Sequence, residues 1–412
     1  MASQSVFRIV AGANSYDWGK IGKNSKAGQY ARADPEFKLQ EEKPYSELWM
    51  GTHPTLPSKL QSGEKLYDHL QAHPELLGDK VRKQYGGDLP FLFKPRNYTK
   101  NDQMCTRARP IHDITIIPTT HTSLTDDNHK PEMAIAITPF SGFCNFRPLS
   151  EISTFLSAVP EFASLIPEKA ASALSSSPSD PKSTLRDVFG ALMSAPSDQV
   201  QSALDQLVKR YESGGATSAE SQVADLAQTL AKQYPGDVGV FCVFLLNVVK
   251  LNEGEAMFLQ ADEPHAYISG ADIIECMATS DNVVRAGLTP KLRDVPTLVS
   301  MLTYNSGPAD AQRMEPKPFK GESSDSDSFT TLYDPPIPEF SVLLTDIPAG
   351  KKASHRALEG PSIFIVTSGS GNVSGQEIKS EGEVWFAGAG QSLEFTAGDQ
   401  GLVLYRAFVE VS

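Results

Sequence analysis

Between residues 150 and 236 the chain changes character. Ile152, Phe155, Leu156 and Val159 recur at helical spacing, and so do Val188, Leu192, Val200, Leu204 and Leu207. Ala and Ser dominate, while Pro160, Pro167, Pro178, Pro181 and Pro196 punctuate the stretch. This pattern predicts a block of amphipathic helices ending near Pro235 and Gly236. The flanks read differently. Residues 7–10, 47–54, 89–94 and 133–137 are short extended runs bounded by turn signals. From 338 onward, β-branched and aromatic residues alternate with Gly-rich turns, as in a small antiparallel barrel or sandwich. The fold class is therefore mainly β with an α-helical insertion. Residues 238–250 are apolar enough for a buried strand or a buried helix, and periodicity leaves both open.

A chain of 412 residues is too long for one small core. The expected organisation is a first barrel from 1–149 and 237–304 and a helical insertion at 150–236. A linker or long loop at 305–337 and a second barrel at 338–412 complete it. No apolar run reaches membrane-spanning length, and the N-terminus lacks a secretory pattern, so the expected address is cytoplasmic. Cys105, Cys144, Cys242 and Cys276 show no CxxC spacing, which argues against a thiolate zinc site or a disulfide framework. A net charge of −13 excludes nucleic acid and anionic membrane as partners. An anionic substrate would need locally gathered cations, and Lys94, Lys130, Arg285 and Lys291 supply them.

Two patches carry most of the potential chemistry. The first runs from 261 to 291 and holds His265, Glu275, Arg285 and Lys291; the second, 126–134, holds Lys130 and Glu132. Taken alone, His265 between Pro264 and Ala266 reads as a hydrogen-bonded structural residue, and Glu132 as a surface carboxylate. If the fold brought them together, an imidazole and a carboxylate would suit a borderline metal such as zinc.

Seven motifs add a family resemblance. They are Tyr16-Asp-Trp-Gly-Lys-Ile-Gly22, Glu47-Leu-Trp-Met-Gly-Thr-His-Pro54, Leu89-Pro-Phe-Leu-Phe-Lys94, Asp127-Asn-His-Lys-Pro-Glu132, Glu263-Pro-His-Ala-Tyr267, Glu275-Cys-Met-Ala278 and Ser280-Asp-Asn-Val-Val-Arg-Ala-Gly-Leu-Thr-Pro-Lys291. In order, over nearly the whole length, they resemble the type I phosphomannose isomerases of eukaryotes. The resemblance implies two cupin-like (jelly-roll) β-barrels plus a helical domain. It also implies a zinc-dependent aldose–ketose isomerase that interconverts mannose 6-phosphate and fructose 6-phosphate through an enediol and feeds GDP-mannose synthesis. One Zn2+ per subunit is implied, held by Gln, His, Glu and a second His. The last two match Glu132 and His265. Arg285 matches an active-site arginine, Glu275 and Lys291 match residues of proton transfer or substrate contact, and Lys130 matches a phosphate partner. The partner is a small sugar phosphate, and the sequence leaves the oligomeric state open.

The resemblance stops at residues 95–125. There the family places its first two zinc ligands in a Gln-x-His-Pro motif, which by spacing falls near Cys105 and Arg107, and an arginine cannot ligate a metal. His112 and His121 lie in this stretch without supporting context. The string Gln71-Ala-His-Pro74 precedes the 89–94 run rather than following it and reads as part of a helix. The pattern resumes abruptly at Asp126, as paired frameshifts or a misjoined exon would leave it; true divergence is the other reading. The zinc site is thus incomplete in this chain, so weak zinc binding and little or no turnover are expected. The alternative function is a non-catalytic sugar-phosphate-binding paralogue.

Overall fold

The computed structural model describes residues 5–98, 104–106, 126–176, 178–268, 270–320 and 329–411. Two antiparallel sheets form the first barrel. One has seven strands in the order Arg313–Met314, Ala256–Leu259, Glu132–Ala136, Asp272–Ala278, Phe91–Asn97, Glu47–Trp49, Gly12–Asn14. The other has five: Leu246–Leu251, Phe140–Phe146, His265–Ile268, Met104–Thr106, Val284–Gly287. Their inner faces meet in one apolar cluster, where Ala134, Ala136 and Ile273 from the first sheet pack with Cys144, Val249 and Tyr267 from the second.

The central strands of the seven-stranded sheet are buried along their whole length because both faces are covered. Its outer face, with Phe91, Phe93, Met133, Ile135 and Ile274, packs on Ile363, Ile365, Phe386 and Tyr405 of a ten-stranded C-terminal sheet. The outer face of the five-stranded sheet is covered by helices. Phe143, Phe146 and Ile268 pack there against Ile152, Phe155, Leu185 and Leu207. Helices Leu149–Ala158, Pro160–Ala163, Glu168–Ser175, Pro181–Met193, Ser197–Glu212 and Ala224–Gln233 make up this layer. Pro160 and Pro181 open theirs, where a missing N–H costs nothing. The 238–250 run divides into a 3-10 helix, Val238–Phe244, followed by the strand Leu246–Leu251.

Two expectations need correction. Val6–Val10, assigned from sequence to the first barrel, pairs with Val384–Ala387 in the C-terminal sheet. The stretch 305–337 is more than a linker: Arg313–Met314 pairs with Ala256–Leu259, and Thr330–Tyr333 pairs with Ser341–Ile347. Both reflect pairing over long sequence separations, which local pattern does not encode.

Candidate active site

Register sets the site. Glu275 lies opposite Lys94 and Ala134, and Met277 lies opposite Leu92 and Glu132. Directly opposed residues share a face, and alternate residues of one strand do too, so Glu132, Lys94 and Glu275 all face the barrel interior. On the facing sheet, His265 pairs with Cys144 and with Cys105, and Cys105 pairs in turn with Arg285. The backbone of Met104–Thr106 therefore runs between the strands that carry His265 and Arg285.

The fold joins the two expected metal residues. His265 Nε2 lies 3.6 Å from Glu132 Oε2, and both side chains are buried. The His265 Nδ1 lies 3.0 Å from the Glu263 carbonyl oxygen. A proton on Nδ1 donated there leaves the Nε2 lone pair facing Glu132, the arrangement that orients ligating histidines. Two ligand atoms about 2 Å from a tetrahedral zinc stand roughly 3.3 Å apart, so the pair fits half of such a site. Among the described residues no group of three or more metal-binding side chains forms, so the site is not complete within them. Arg107, His112 and His121 lie outside the described residues. Gln71 is part of the helix Leu66–Ala72, and His73 at its end is half-buried, 3.3 Å from Glu75.

Next to this pair lies a buried network of four charges. Lys94 Nζ is 2.7 Å from Glu275 Oε2, and Arg96 Nη1 donates to Glu275 Oε1 at 2.5 Å. Arg96 Nε lies 2.7 Å from Glu47 Oε1, and Trp49 Nε1 donates to Glu47 Oε2 at 2.7 Å. Burial alone would raise the Glu47 pKa, but Arg96 and Lys94 outweigh it and hold the carboxyl at about 2.

A cavity of roughly 260 Å³ opens over this network. Lys94, Arg96, Lys130, Arg285 and Lys291 line it, against the carboxylates of Glu47 and Asp281. In a chain of net charge −13 this is a concentration of positive charge suited to an anion. His53, also on the wall, lies 3.1 Å from Asp281 Oδ1 through Nε2, while Nδ1 accepts from the Thr55 N–H at 3.3 Å. Burial lowers its pKa and outweighs the opposing pull of Asp281, so the ring is neutral near pH 7. Lys130 donates to the Ser280 carbonyl.

Of the residues singled out from sequence, Glu132 and His265 meet, and Lys130, Arg285 and Lys291 line the cavity. Glu275 faces the same interior with each oxygen held by a cation. Sequence reasoning passed over Glu47, His53 and Asp281 as site residues. The available signal was a carboxylate two residues before Trp49 in an otherwise apolar strand, which places both on one face.

Comparison with known proteins agrees with this architecture. The chain matches the phosphomannose isomerase type I catalytic domain over residues 6–149, the family's helical insertion domain over 159–246 and its C-terminal region over 331–375. The mannose-6-phosphate isomerase of Cryptococcus neoformans is 48% identical, covering 99% of this chain and 100% of that protein. The chain belongs to the type I phosphomannose isomerase family. The Saccharomyces cerevisiae mannose-6-phosphate isomerase is 42% identical, with 99% of each chain covered. Among solved structures, a mutant of the Salmonella typhimurium phosphomannose isomerase superposes with a TM-score of 0.81 at 27% identity over 99% of this chain and all of that one. A mannose 6-phosphate isomerase structure bound with zinc and yttrium matches with a TM-score of 0.79 at 26% identity, covering 99% of this chain and all of that one. Membership extends the family's two-barrel, cupin-like fold to this chain.

Proposed function

We propose that this chain is an aldose–ketose isomerase that interconverts mannose 6-phosphate and fructose 6-phosphate through an enediol, supplying mannose phosphate for GDP-mannose synthesis. The observation that carries the proposal is the cation-lined cavity beside the buried Glu132–His265 pair. Arg285, Lys130 and Lys291 are the groups to hold the phosphate, the guanidinium with two parallel donors. Isomerisation moves the C2 proton to C1. A base takes the proton from C2 while the C1 carbonyl oxygen gains a proton, giving the enediol. The C2 hydroxyl then gives up its proton as C2 becomes the ketone, and the same base returns its proton to C1. One proton thus passes from O2 to O1 overall. Asp281, on the cavity wall 3.1 Å from neutral His53, is the carboxylate we assign to this transfer. Glu275, occupied by Lys94 and Arg96, fits better as the anchor of the Lys94 ammonium than as a free base. Zinc on Glu132 and His265 would supply Lewis-acid polarisation of the sugar oxygens.

A second reading, a sugar-phosphate binder without turnover, is favoured by one observation: residues 95–125 hold no Gln-x-His-Pro motif. Measuring mannose 6-phosphate binding and fructose 6-phosphate formation on the same zinc-supplemented sample separates the two. Turnover abolished by a chelator supports the isomerase. Binding without turnover supports the second reading, and absence of binding defeats both.

A further inference from the structure

The string Gln71-Ala-His-Pro74 plays no part in the barrel, yet it places one histidine a helical turn beyond another. His69 and His73 are an i, i+4 pair at the end of the helix Leu66–Ala72, and the His73 N–H closes the last turn on the His69 carbonyl. Side chains four residues apart on a helix are neighbours. The two ring centroids stand 4.6 Å apart, with the planes tilted by 44°. Two imidazoles that share one ion at about 2.0–2.1 Å, near 90–110° apart, put their centroids roughly 4.5–5 Å from each other.

The rings are also turned alike. His69 Nδ1 lies 3.3 Å from Glu64 Oε2, and His73 Nδ1 lies 3.3 Å from Glu75 Oε1. A carboxylate on one ring nitrogen fixes the tautomer and leaves the other nitrogen as the ligand atom. Among the described residues neither Nε2 makes a hydrogen bond. Both residues are half-buried, so an ion can reach them. Phe7 packs edge-to-face on His69 at 5.3 Å and holds that ring in place. Gln71 contributes nothing, since its amide donates to the Gly87 carbonyl.

We infer that His69 and His73 chelate a divalent transition ion through their Nε2 atoms, with Glu64 and Glu75 orienting the rings. Histidine pairs at this spacing serve helical zinc sites, and imidazole suits zinc, copper and nickel. Two protein ligands leave the remaining positions to water, so this ion exchanges freely and is lost on dialysis against metal-free buffer. Its place gives it a structural effect. Leu66 and Leu70 of the same helix pack in the core shared with the C-terminal sheet, and the Leu76 carbonyl accepts from Ala389 N at 2.8 Å. An ion on both rings pins the end of the helix at the seam between the first barrel and that sheet. The site is separate from the barrel cavity and independent of the sugar-phosphate reading.

Equilibrium dialysis of the chelator-stripped full chain against a fixed free Zn2+ concentration tests this, beside His69→Asn, His73→Asn and the double variant. The parent should hold one zinc more than each single variant. The double variant should lose no more than either single one, because both rings serve one ion. The Glu132–His265 pair is common to all of these proteins and cancels from the comparison. Glu64→Gln and Glu75→Gln should each weaken zinc binding at this site by roughly tenfold. The same zinc should raise the melting temperature of the parent and leave that of the histidine variants unchanged. Equal zinc content in the parent and both single variants overturns the site, as do losses that add in the double variant. If a histidine variant melts far below the metal-free parent, the two glutamate variants decide, and unchanged zinc affinity in both overturns the site.

Discussion

His265 presents its Nε2 to Glu132 Oε2 at 3.6 Å, with its other ring nitrogen 3.0 Å from the Glu263 carbonyl. The described residues supply these two ligands, whereas structural and catalytic zinc sites use three or four protein ligands, and residues 95–125 hold no Gln-x-His-Pro motif to complete the set. The full chain should therefore keep well below one zinc per chain after dialysis. The little that it binds should vanish in Glu132→Gln and in His265→Ala, because each removes one of the two ligands that face each other in the barrel. Elemental analysis of the dialysed proteins checks this. One equivalent retained by the parent chain, together with turnover of mannose 6-phosphate, would contradict it.

Glu47 makes acid stability a readout of the buried network. Its pKa is held near 2, below the ordinary 4.5, by Arg96 and Lys94 against the effect of burial. A depressed carboxyl stabilises the fold fully above the unfolded pKa and loses that contribution as pH falls from about 4.5 through 2. The shift corresponds to roughly 3 kcal/mol. Urea unfolding of the parent should therefore weaken between pH 7 and pH 3. Glu47→Gln should weaken less over that interval. At pH 7 the variant should already be about 3–5 kcal/mol less stable, since Lys94 and Arg96 then share one carboxylate.

The helical block was legible because a 3.6-residue period and the prolines that open helices are local properties. The central strands were legible because burial on both faces writes continuous apolar runs. What escaped was whatever depends on remote partners. Asp281 is 228 residues from His53 in sequence, and nothing near either residue announces their contact. Val6–Val10 reads as a strand wherever it pairs, so its place in the C-terminal sheet had no local sign. The run 238–250 was ambiguous for a related reason: its first half, Val238–Phe244, is wholly buried and shows no polar face by which to judge its period.

Asp237 joins the end of the helical insertion to the turn between two of the cavity's cations, Arg285 on its strand and Lys291 beyond it. Its Oδ1 accepts from Gly239 N at 2.7 Å and Leu288 N at 2.9 Å, and its Oδ2 accepts from Thr289 N at 3.2 Å. Leu288 is held at φ 53°, an unfavourable conformation for a branched side chain that these bonds support. Arg285 and Lys291 flank this turn. Asp237→Ala should lower stability by about 1–3 kcal/mol. It should also speed amide hydrogen exchange in 285–291 and weaken sugar-phosphate binding. Exchange in the helix Ser197–Glu212 should not change; if it changes equally, the effect is global unfolding rather than release of the loop.

The departure from the family pattern begins at Pro95 and Arg96, and both break the rules of the strand that they occupy. Phe91–Asn97 is a central strand, paired on one side with Asp272–Ala278 and on the other with Glu47–Trp49. Pro95 removes an N–H from such a ladder, where proline is otherwise confined to edges and bulges. Arg96 buries a guanidinium there and engages an oxygen of Glu275. Arg96 is repaid by its pairs with Glu47 and Glu275, whereas Pro95 breaks a local rule without a visible gain and marks a segment out of keeping with its strand. Replacing residues 95–125 with the corresponding stretch of the Cryptococcus neoformans relative, 48% identical overall, should therefore restore the ladder at position 95 and free Glu275 from Arg96. Zinc content should rise to about one per chain, and mannose 6-phosphate turnover should appear or increase with it. In the coding DNA, a Gln-x-His-Pro reading in another frame across this stretch is the matching expectation. A chimaera that folds as stably as the parent but gains neither zinc nor turnover would place the defect elsewhere in the barrel.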